Sequence, residues 1–464
     1  MNNKLLNEIT VLILVIFLFL GSFGGQAKLF GQEINLDKQK ARAKLSQVKI
    51  ASLYENITEV KAFGRNLEDA VNQFKETGTE FIFRGFWLWS PAFETPEDIP
   101  FEILKLAETK NLDSAQIVKF IKERGYFYKC LSDSVTGIKK EIPGIIFCGA
   151  IPGQKVNSID YNPVTGKILT REEAWRMSLD PQKWRINFRG KPLTKEGFQK
   201  LFGLTHLWIK KFQAYDWSKA PAYFPDITNP DYQELLLSWA KKQIDCGADA
   251  IWIDMQFSQA SMLARITKDV NHPAVKESYE AAAKIVDRIH AYGLEKGRYI
   301  YVGSWSMVSW FPYPAPDFDF VTISPLPQEI QKLKLDEKEW EKRCSRIKQK
   351  LGDIPVLVFI DWASSSKTQL GVFSQYLNKK KQNEFLRIAD DFFTKKGYIF
   401  VYPVHGGWMG QDAKVLSYGQ FKVYDSLAPE FDTYETIKEL SLIKAGEHLN
   451  KSTNNKDEIA PYGQ

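Results

Sequence analysis

Short apolar runs alternate with amphipathic helical segments along most of this chain. The apolar runs predict eight strands, at residues 81–86, 144–148, 222–224, 250–253, 299–302, 318–323, 356–360 and 398–402. Runs of this kind are typical of strands buried on both faces, as in parallel sheets covered by helices. Helical periodicity follows most of them, for example at residues 230–246, 275–296, 335–351 and 379–395. Eight strand–helix units predict an α/β fold, a (β/α)8 TIM-type barrel.

The barrel is predicted to occupy residues 81–450, with a long insertion between its second and third strands. The connection at 151–220 is far longer than an ordinary loop between a strand and a helix, which indicates a functional insertion. Residues 28–80 are charged and place apolar side chains at helical spacing, so they predict an N-terminal helical extension. The polar residues 451–464 predict a disordered tail.

The first 27 residues predict an exported protein. An apolar run at 11–20 follows Lys4 and precedes small residues up to Ala27, which is the pattern of a secretory signal peptide. A membrane span needs about 20 apolar residues, so this run is short for one. The protein is therefore expected to be secreted or held at the cell surface, and it would contact the membrane only through an uncleaved leader.

Composition narrows the range of partners. The 464 residues have a net charge of +6 without a basic block, so no nucleic-acid partner is predicted. The four cysteines and five histidines are scattered without metal-ligand spacing, so neither a metal nor another cofactor is predicted. The chain is rich in aromatic residues, with 13 Trp, 19 Tyr and 31 Phe, and such rings often line ligand clefts. Carbohydrate is the predicted ligand, because sugar rings stack on aromatic faces.

Polar and aromatic side chains collect where the predicted strands end. In a barrel the carboxyl ends of the strands form the active-site face. The candidate catalytic residues are four carboxylates: Asp254, Asp361, Asp226 and Glu329. The candidate substrate-binding residues are mostly aromatic: Arg84, Trp87, Trp89, Trp252, Gln256, Trp305, Trp362, His405 and Trp408. Two of the carboxylates would serve as nucleophile and acid/base in the cleavage of a glycosidic bond.

Two neighbouring segments resemble those of family 31 glycoside hydrolases and their α-galactosidase relatives. They are residues 225–230, Pro-Asp-Ile-Thr-Asn-Pro, and residues 247–255, Gly-Ala-Asp-Ala-Ile-Trp-Ile-Asp-Met. The resemblance implies a barrel, a carbohydrate substrate and a retaining mechanism with Asp254 as the nucleophile. The chain departs from the family pattern at Gln256, where Gln-Phe stands in place of Asn-Glu. It also lacks a clear counterpart of the family's acid/base aspartate after the sixth predicted strand.

The sequence is compatible with three functions. The first is a secreted glycoside hydrolase in which Asp254 attacks and Asp361, Asp226 or Glu329 is the acid/base. The second is a non-catalytic carbohydrate-binding barrel at the cell surface, which the missing family acid suggests. The third is a metal-assisted hydrolase with Asp226, Asp254, Asp361 and His405 around one ion. Each carboxylate also has a structural alternative, since a strand-end carboxylate can cap a turn or pair with a cation.

Overall fold

A closed parallel barrel forms the centre of the molecule. The computed structural model describes residues 38–100, 122–203, 216–360, 366–408 and 423–454. The barrel strands are β1 (Ala51–Tyr54), β2 (Phe81–Trp87), β3 (Ile146–Pro152), β4 (Ala250–Asp254), β5 (Tyr301–Trp305), β6 (Phe320–Ile323), β7 (Val356–Phe359) and β8 (Ile399–Trp408). Neighbouring strands pair in this order, and β1 closes the ring by pairing in parallel with β8. The predicted (β/α)8 fold is therefore confirmed.

Helices cover the outside of the barrel. They are α1 (38–46), α2 (Leu67–Thr77), α3 (Tyr128–Glu141), α4 (Arg171–Arg176), α5 (Lys195–Phe202), α6 (Pro230–Asp245), α7 (Ser258–Thr267), α8 (Pro273–Glu295), α9 (Pro327–Lys332), α10 (Glu337–Leu351), α11 (Gln369–Gly371), α12 (Lys379–Lys395) and α13 (Tyr434–Asn454). Most bury one apolar stripe; α12, for example, buries Phe385, Ala389 and Phe393 at helical spacing. In the part of the chain that the structure describes, no helix has the length and apolar character of a membrane span.

Large side chains from alternate strand positions fill the barrel interior. The ring of Trp252 lies 5.2 Å from that of Phe83 and 6.1 Å from that of Phe359, measured between centroids. Helix α1 closes the amino-terminal end, because Leu45 is fully buried in the same interior cluster. Arg42 ties α1 to the start of β6 through a 2.8 Å hydrogen bond from Nε to the carboxylate of Asp319. The open end of the barrel is therefore the carboxyl end of the strands.

The first barrel strand is not the one expected from the sequence. Residues 51–54, assigned above to a helical extension, form β1 and pair with both β2 and β8. The expected third strand is instead a short strand, Ala222–Tyr223, which pairs in antiparallel fashion with Val156–Asn157 outside the barrel. The long insertion consequently lies between the third and fourth barrel strands.

The ends of the chain agree only in part with the prediction. The helical extension is present at 38–46, where α1 lies against the barrel. Residues 451–454, predicted to belong to the tail, continue helix α13. The predicted signal peptide, at 1–27, and residues 455–464 lie outside the described residues.

Candidate active site

Asp254 is the last residue of β4 and faces the open end of the barrel. Its backbone pairs with Pro152 of β3, and its carbonyl accepts a 2.8 Å hydrogen bond from the Gly153 amide. A side chain at Gly153 would meet that carbonyl at 2.9 Å, so only glycine permits this approach. The next residue, Met255, has a φ of 51°, which turns the chain sharply away from the strand. The backbone thus fixes the carboxylate at the rim.

Two donors hold the Asp254 carboxylate in a buried setting. The indole Nε1 of Trp305, at the end of β5, donates to Oδ1 at 2.7 Å. The amide Nε2 of Gln154 donates to Oδ2 at 3.2 Å. Burial raises the pKa of Asp254 to about 6, and the nearby Glu55 charge adds to the rise, whereas Arg84 and the Trp305 bond oppose it. Asp254 can therefore change its charge near neutral pH.

Arg84 is the cation of this site. It lies in β2 with a φ of 58°, at a point where the register of β2 against β3 shifts. Its guanidinium is buried, 4.8 Å from the ring centroid of Trp87 and 5.4 Å from that of Trp252. One Nη atom lies 3.2 Å from the carboxylate of Glu55. The left-handed backbone conformation therefore aims a positive charge into the carboxyl end of the barrel.

Glu55 is a second buried carboxylate that sequence reasoning missed. It directly follows β1, and its amide donates to the carbonyl of His405 at 3.0 Å. Its Oε2 accepts a 3.2 Å bond from the amide of Gly407 as well as contacting Arg84. A carboxylate directly after the apolar run at 50–54 was the available indication in the sequence. The structure thus joins Glu55, Arg84 and Asp254 into one electrostatic group.

Aromatic side chains border this group. Trp87 is buried beneath Arg84, and its ring lies 5.4 Å from that of Trp89, which is partly exposed. Trp305 is also partly exposed, and its ring lies 5.2 Å from that of Phe359 in the barrel interior. Trp89 and Trp305 therefore offer accessible ring surface near the carboxylates, in agreement with the predicted substrate-binding role, which stays a prediction.

Two predicted substrate-binding residues lie elsewhere. Trp252 is 1% exposed in the barrel interior, and its Nε1 donates to the Thr322 hydroxyl at 3.1 Å. Gln256 is buried, and its Nε2 donates to the carbonyl of Ala282 in helix α8 at 2.7 Å. Side chains alternate along a strand, so Trp252 points into the barrel core below Asp254. Gln256 points into the helical layer because the chain turns at Met255.

His405 is also part of the packing rather than the open face. Its ring is 2% exposed and lies 5.0 Å from the ring of Tyr54 and 4.7 Å from that of Phe63. Its Nδ1 shares a 2.5 Å hydrogen bond with Asp425, whose carboxylate also accepts two bonds from Arg65. This buried network fixes the end of β8 and, through the His405 carbonyl, the backbone of Glu55.

Asp226 has a structural place in the insertion. Its Oδ1 accepts bonds from the backbone amide and hydroxyl of Thr228 and from Gln259, and its Oδ2 accepts a 2.7 Å bond from Lys183. The preceding strand pairs outside the barrel, so Asp226 does not follow a barrel strand. The expectation that a neighbouring barrel strand would bring it beside Asp254 is therefore wrong.

Glu329 caps a helix instead of facing substrate. It is the third residue of α9, and its carboxylate accepts bonds from the backbone amides of Leu326 and Asp336 and from the indole of Trp340, at 2.7 to 2.9 Å. Such a carboxylate satisfies amides that would otherwise lack partners. These contacts give Glu329 a structural role, and its candidate catalytic role stays a prediction.

Replacing Glu329 is expected to affect stability and not catalysis. In Glu329→Gln, one side-chain oxygen becomes a donor facing other donors, which should lower the free energy of unfolding by about 1–3 kcal/mol. Urea unfolding measures this loss, and kcat at a temperature where both proteins are folded should stay within about twofold of wild type. Glu339→Gln, on an exposed turn of α10, is the matched control. A large fall in kcat with unchanged stability would return Glu329 to the catalytic candidates.

Three candidates are not placed by the structure. Asp361 and Trp362 lie outside the described residues, directly after β7. The backbone of Trp408 ends β8 and pairs with Val423, while its side chain lies outside the description. Their predicted roles stay predictions.

The metal-assisted hypothesis can be compared with the described part of the site. Among the described residues, no group of three or more His, Cys, Asp or Glu side chains has the arrangement of a metal site. Asp226 lies in the insertion, and the side chain of His405, on β8, contacts Phe63 and Asp425. The side chains of two of the four residues of the metal-assisted hypothesis are therefore bonded to other partners.

Comparison with known proteins gives distant structural similarity alone. No family model matches the chain, and no curated protein matches it. Among solved structures, the glycoside hydrolase domain of PelA from Pseudomonas aeruginosa is 11% identical, with a TM-score of 0.32 over 59% of this chain and 83% of that one. Amy13B from Eubacterium rectale is 9% identical, with a TM-score of 0.45 over 85% and 77%. The α-amylase from H. orenii is 12% identical, with a TM-score of 0.45 over 86% and 82%.

Proposed function

We propose that this protein is a glycoside hydrolase that cleaves an oligo- or polysaccharide with Asp254 and Glu55 as its two carboxylates. Glycosidic cleavage needs one carboxyl group that gives a proton to the leaving oxygen and a second that attacks carbon or activates water. Arg84 would stabilise whichever carboxylate is charged, and Trp89 and Trp305 would contact the sugar.

The observation that supports this most directly is the pair of carboxylates around one buried cation at the carboxyl end of the strands. Glu55 contacts Arg84, and both of their charges act on Asp254. A buried carboxyl group with a raised pKa, such as Asp254, beside other charged groups at the carboxyl end of a barrel is a frequent feature of catalytic sites. Partly exposed tryptophans beside them provide flat surface of the kind that sugars contact.

The roles of the two carboxylates can be assigned in two ways. The resemblance to family 31 enzymes implies that Asp254 attacks the anomeric carbon, and Glu55 would then protonate the leaving oxygen and later deprotonate water. The raised pKa of Asp254 favours the reverse, because a general acid must hold its proton near neutral pH. In that case Glu55, paired with Arg84, would attack.

The two other functions that the sequence leaves open have less support. A non-catalytic binding protein was suggested by the missing acid residue, and Glu55 supplies a second carboxylate. A metal-assisted hydrolase would need Asp226 and His405 beside Asp254, and both side chains are engaged elsewhere. Export by an N-terminal signal peptide belongs to the proposal, supported by the apolar run at 11–20.

The test is hydrolysis of α- and β-linked aryl glycosides and polysaccharides by the wild-type protein, Asp254→Asn and Glu55→Gln. Each variant should lose about a thousandfold or more of kcat on the one sugar class that the wild type cleaves. Added azide then separates the roles in a retaining enzyme. The variant lacking the nucleophile should yield a glycosyl azide of inverted configuration, and the variant lacking the acid/base should yield one of retained configuration.

Each outcome has a clear meaning. Activity that survives in Asp254→Asn would remove Asp254 from the reaction. Activity lost only in Asp254→Asn would leave Asp254 in place and exclude Glu55. Measurable glycan binding by a wild-type protein that cleaves no substrate would favour the carbohydrate-binding alternative.

A further inference from the structure

Lys155 is a buried cation at the edge of the aromatic cluster around Arg84. Its side chain is 8% exposed, its Nζ donates to the carbonyl of Trp89, and the amine lies 4.4 Å from the Trp89 ring centroid. No carboxylate of the described residues lies within ion-pairing distance of this amine. Lys155 therefore differs from Arg84, which has Glu55 as a charged partner.

The backbone beside Lys155 is held against the proposed catalytic carboxylate. The Gly153 amide donates to the Asp254 carbonyl, and the Gln154 side chain donates to the Asp254 carboxylate. Lys155 is the next residue, and it contacts Trp89, whose ring neighbours that of Trp87. The amine therefore belongs to the segment that bonds Asp254, and it contacts a tryptophan that borders the proposed active site.

Burying this ammonium opposes folding. A charge removed from water without a paired opposite charge destabilises the folded state. Burial lowers the pKa of Lys155 to about 7, and the charge of Asp160 offsets this only in part. The oxygens of Asp160 already accept bonds from Asn157 and from the Tyr161 amide. An ammonium has three donors, and the protein acceptor it contacts among the described residues is the Trp89 carbonyl.

We propose that Lys155 binds an anionic substituent on a sugar unit adjacent to the one at Asp254, so that the substrate is an acidic glycan. A monoanion matches the single positive charge, and the substituent would be a C6 carboxylate of a uronic acid or a sulfate ester. The ring of Trp89, below the amine, would contact the same sugar. This inference names the substrate class of the proposed hydrolase and rests on that function.

The test measures binding rather than turnover, using the full-length protein with Asp254→Asn. The ligands are oligomers of galacturonate, glucuronate, mannuronate and guluronate, each with its carboxyl-reduced form, and sulfated galactans with their desulfated forms. Titration calorimetry is expected to show tighter binding of at least one acidic form than of its neutral counterpart. Lys155→Met in the same background should weaken the acidic form about 10- to 100-fold and leave the neutral form within about twofold.

Two further variants separate charge recognition from a structural role. Lys155→Arg keeps the charge and should retain most of the preference for the acidic form. Lys129→Met makes the same change on the exposed start of α3, where Lys129 pairs only weakly with Asp133, and should change nothing. Preference for a uronate identifies a carboxylate as the ligand, and preference for a sulfated galactan identifies a sulfate.

Several results would overturn the inference. The inference would be overturned if the protein bound acidic and neutral forms with equal affinity, or if Lys155→Met still preferred the acidic form. It would also be overturned if Lys155→Met lost binding of both forms together. The absence of binding to every acidic ligand would overturn it as well. Failure of the hydrolase proposal looks different, because acidic ligands would bind with dependence on Lys155 while the wild-type protein cleaves none of them.

Discussion

At pH 7, Asp254→Asn is expected to be more stable than the wild-type protein although it loses its proposed activity. Burial raises the pKa of Asp254 from 3.8 to about 6, so the folded protein binds this proton more tightly than the unfolded chain does. The stability that protonation provides is complete below pH 4 and is lost as the pH rises through 6. Asparagine is neutral at every pH and still accepts a bond from Trp305. Its advantage should reach about 3 kcal/mol at pH 7 and vanish near pH 4.

Urea unfolding from pH 4 to pH 8 measures this difference between variant and wild type. Asp226→Asn is the matched control, because its carboxylate accepts bonds from Lys183, Thr228 and Gln259. That change should destabilise the protein at pH 7, opposite in sign to Asp254→Asn. An Asp254→Asn variant that is less stable than wild type at pH 7 would mean that the surroundings stabilise the Asp254 carboxylate and that burial does not raise its pKa.

Arg84→Met is expected to cause the largest loss of stability among single changes at the site. The guanidinium is the cation that Glu55 contacts and that opposes the rise in the pKa of Asp254. Its removal leaves buried carboxylates without a positive charge, which costs about 3–5 kcal/mol at neutral pH. The pKa of Asp254 should rise further above 6, so its carboxyl group would ionise only at higher pH than in the wild-type protein.

A double-mutant cycle tests the coupling. Glu55→Gln removes one of the buried negative charges that Arg84→Met leaves without a cation. The double variant Arg84→Met/Glu55→Gln should therefore be more stable than Arg84→Met alone. Arg42→Met, which removes the cation bonded to Asp319 at the amino-terminal end of the barrel, is the control and should show additive effects with Glu55→Gln. Additive effects of Arg84→Met and Glu55→Gln would show that the two residues do not form an energetically coupled pair.

Most of the fold follows from the apolar pattern. Seven of the eight expected strands lie in the barrel, because residues such as Ile251, Val302 and Phe400 belong to runs that only a doubly covered parallel sheet would bury. The first strand was missed because Leu45, Val48, Ile50 and Leu53 repeat at helical spacing, although only Leu45 lies in helix α1 and Leu53 lies in β1. Its place is set by pairing with β2 and β8, contacts that are remote in sequence.

The candidate site was predicted less completely, for a related reason. Asp254 was identified because it ends an apolar strand, and Glu55 was missed because its strand was missed. The sequence predicts Asp226 at the end of the third strand and Glu329 in the loop after the sixth, whereas their structural roles depend on distant donors such as Lys183 and Trp340. The positive φ of Arg84 depends on a register shift between strands, which no local pattern reveals.

Closure of the barrel between β1 and β8 has a consequence for biosynthesis. The paired residues Ala51 and Val401 are separated by roughly 350 positions, so the growing chain cannot seal the barrel until nearly all of it has been made. At a rate of synthesis of about 5–20 residues per second, one edge of β1 would stay unpaired for tens of seconds. During that interval the exposed edge and the uncovered aromatic interior are sites where chaperones would bind and where aggregation would start. The bonds that join Glu55 to β8, from its amide to the His405 carbonyl and from the Gly407 amide to its carboxylate, would form only at the end of this sequence.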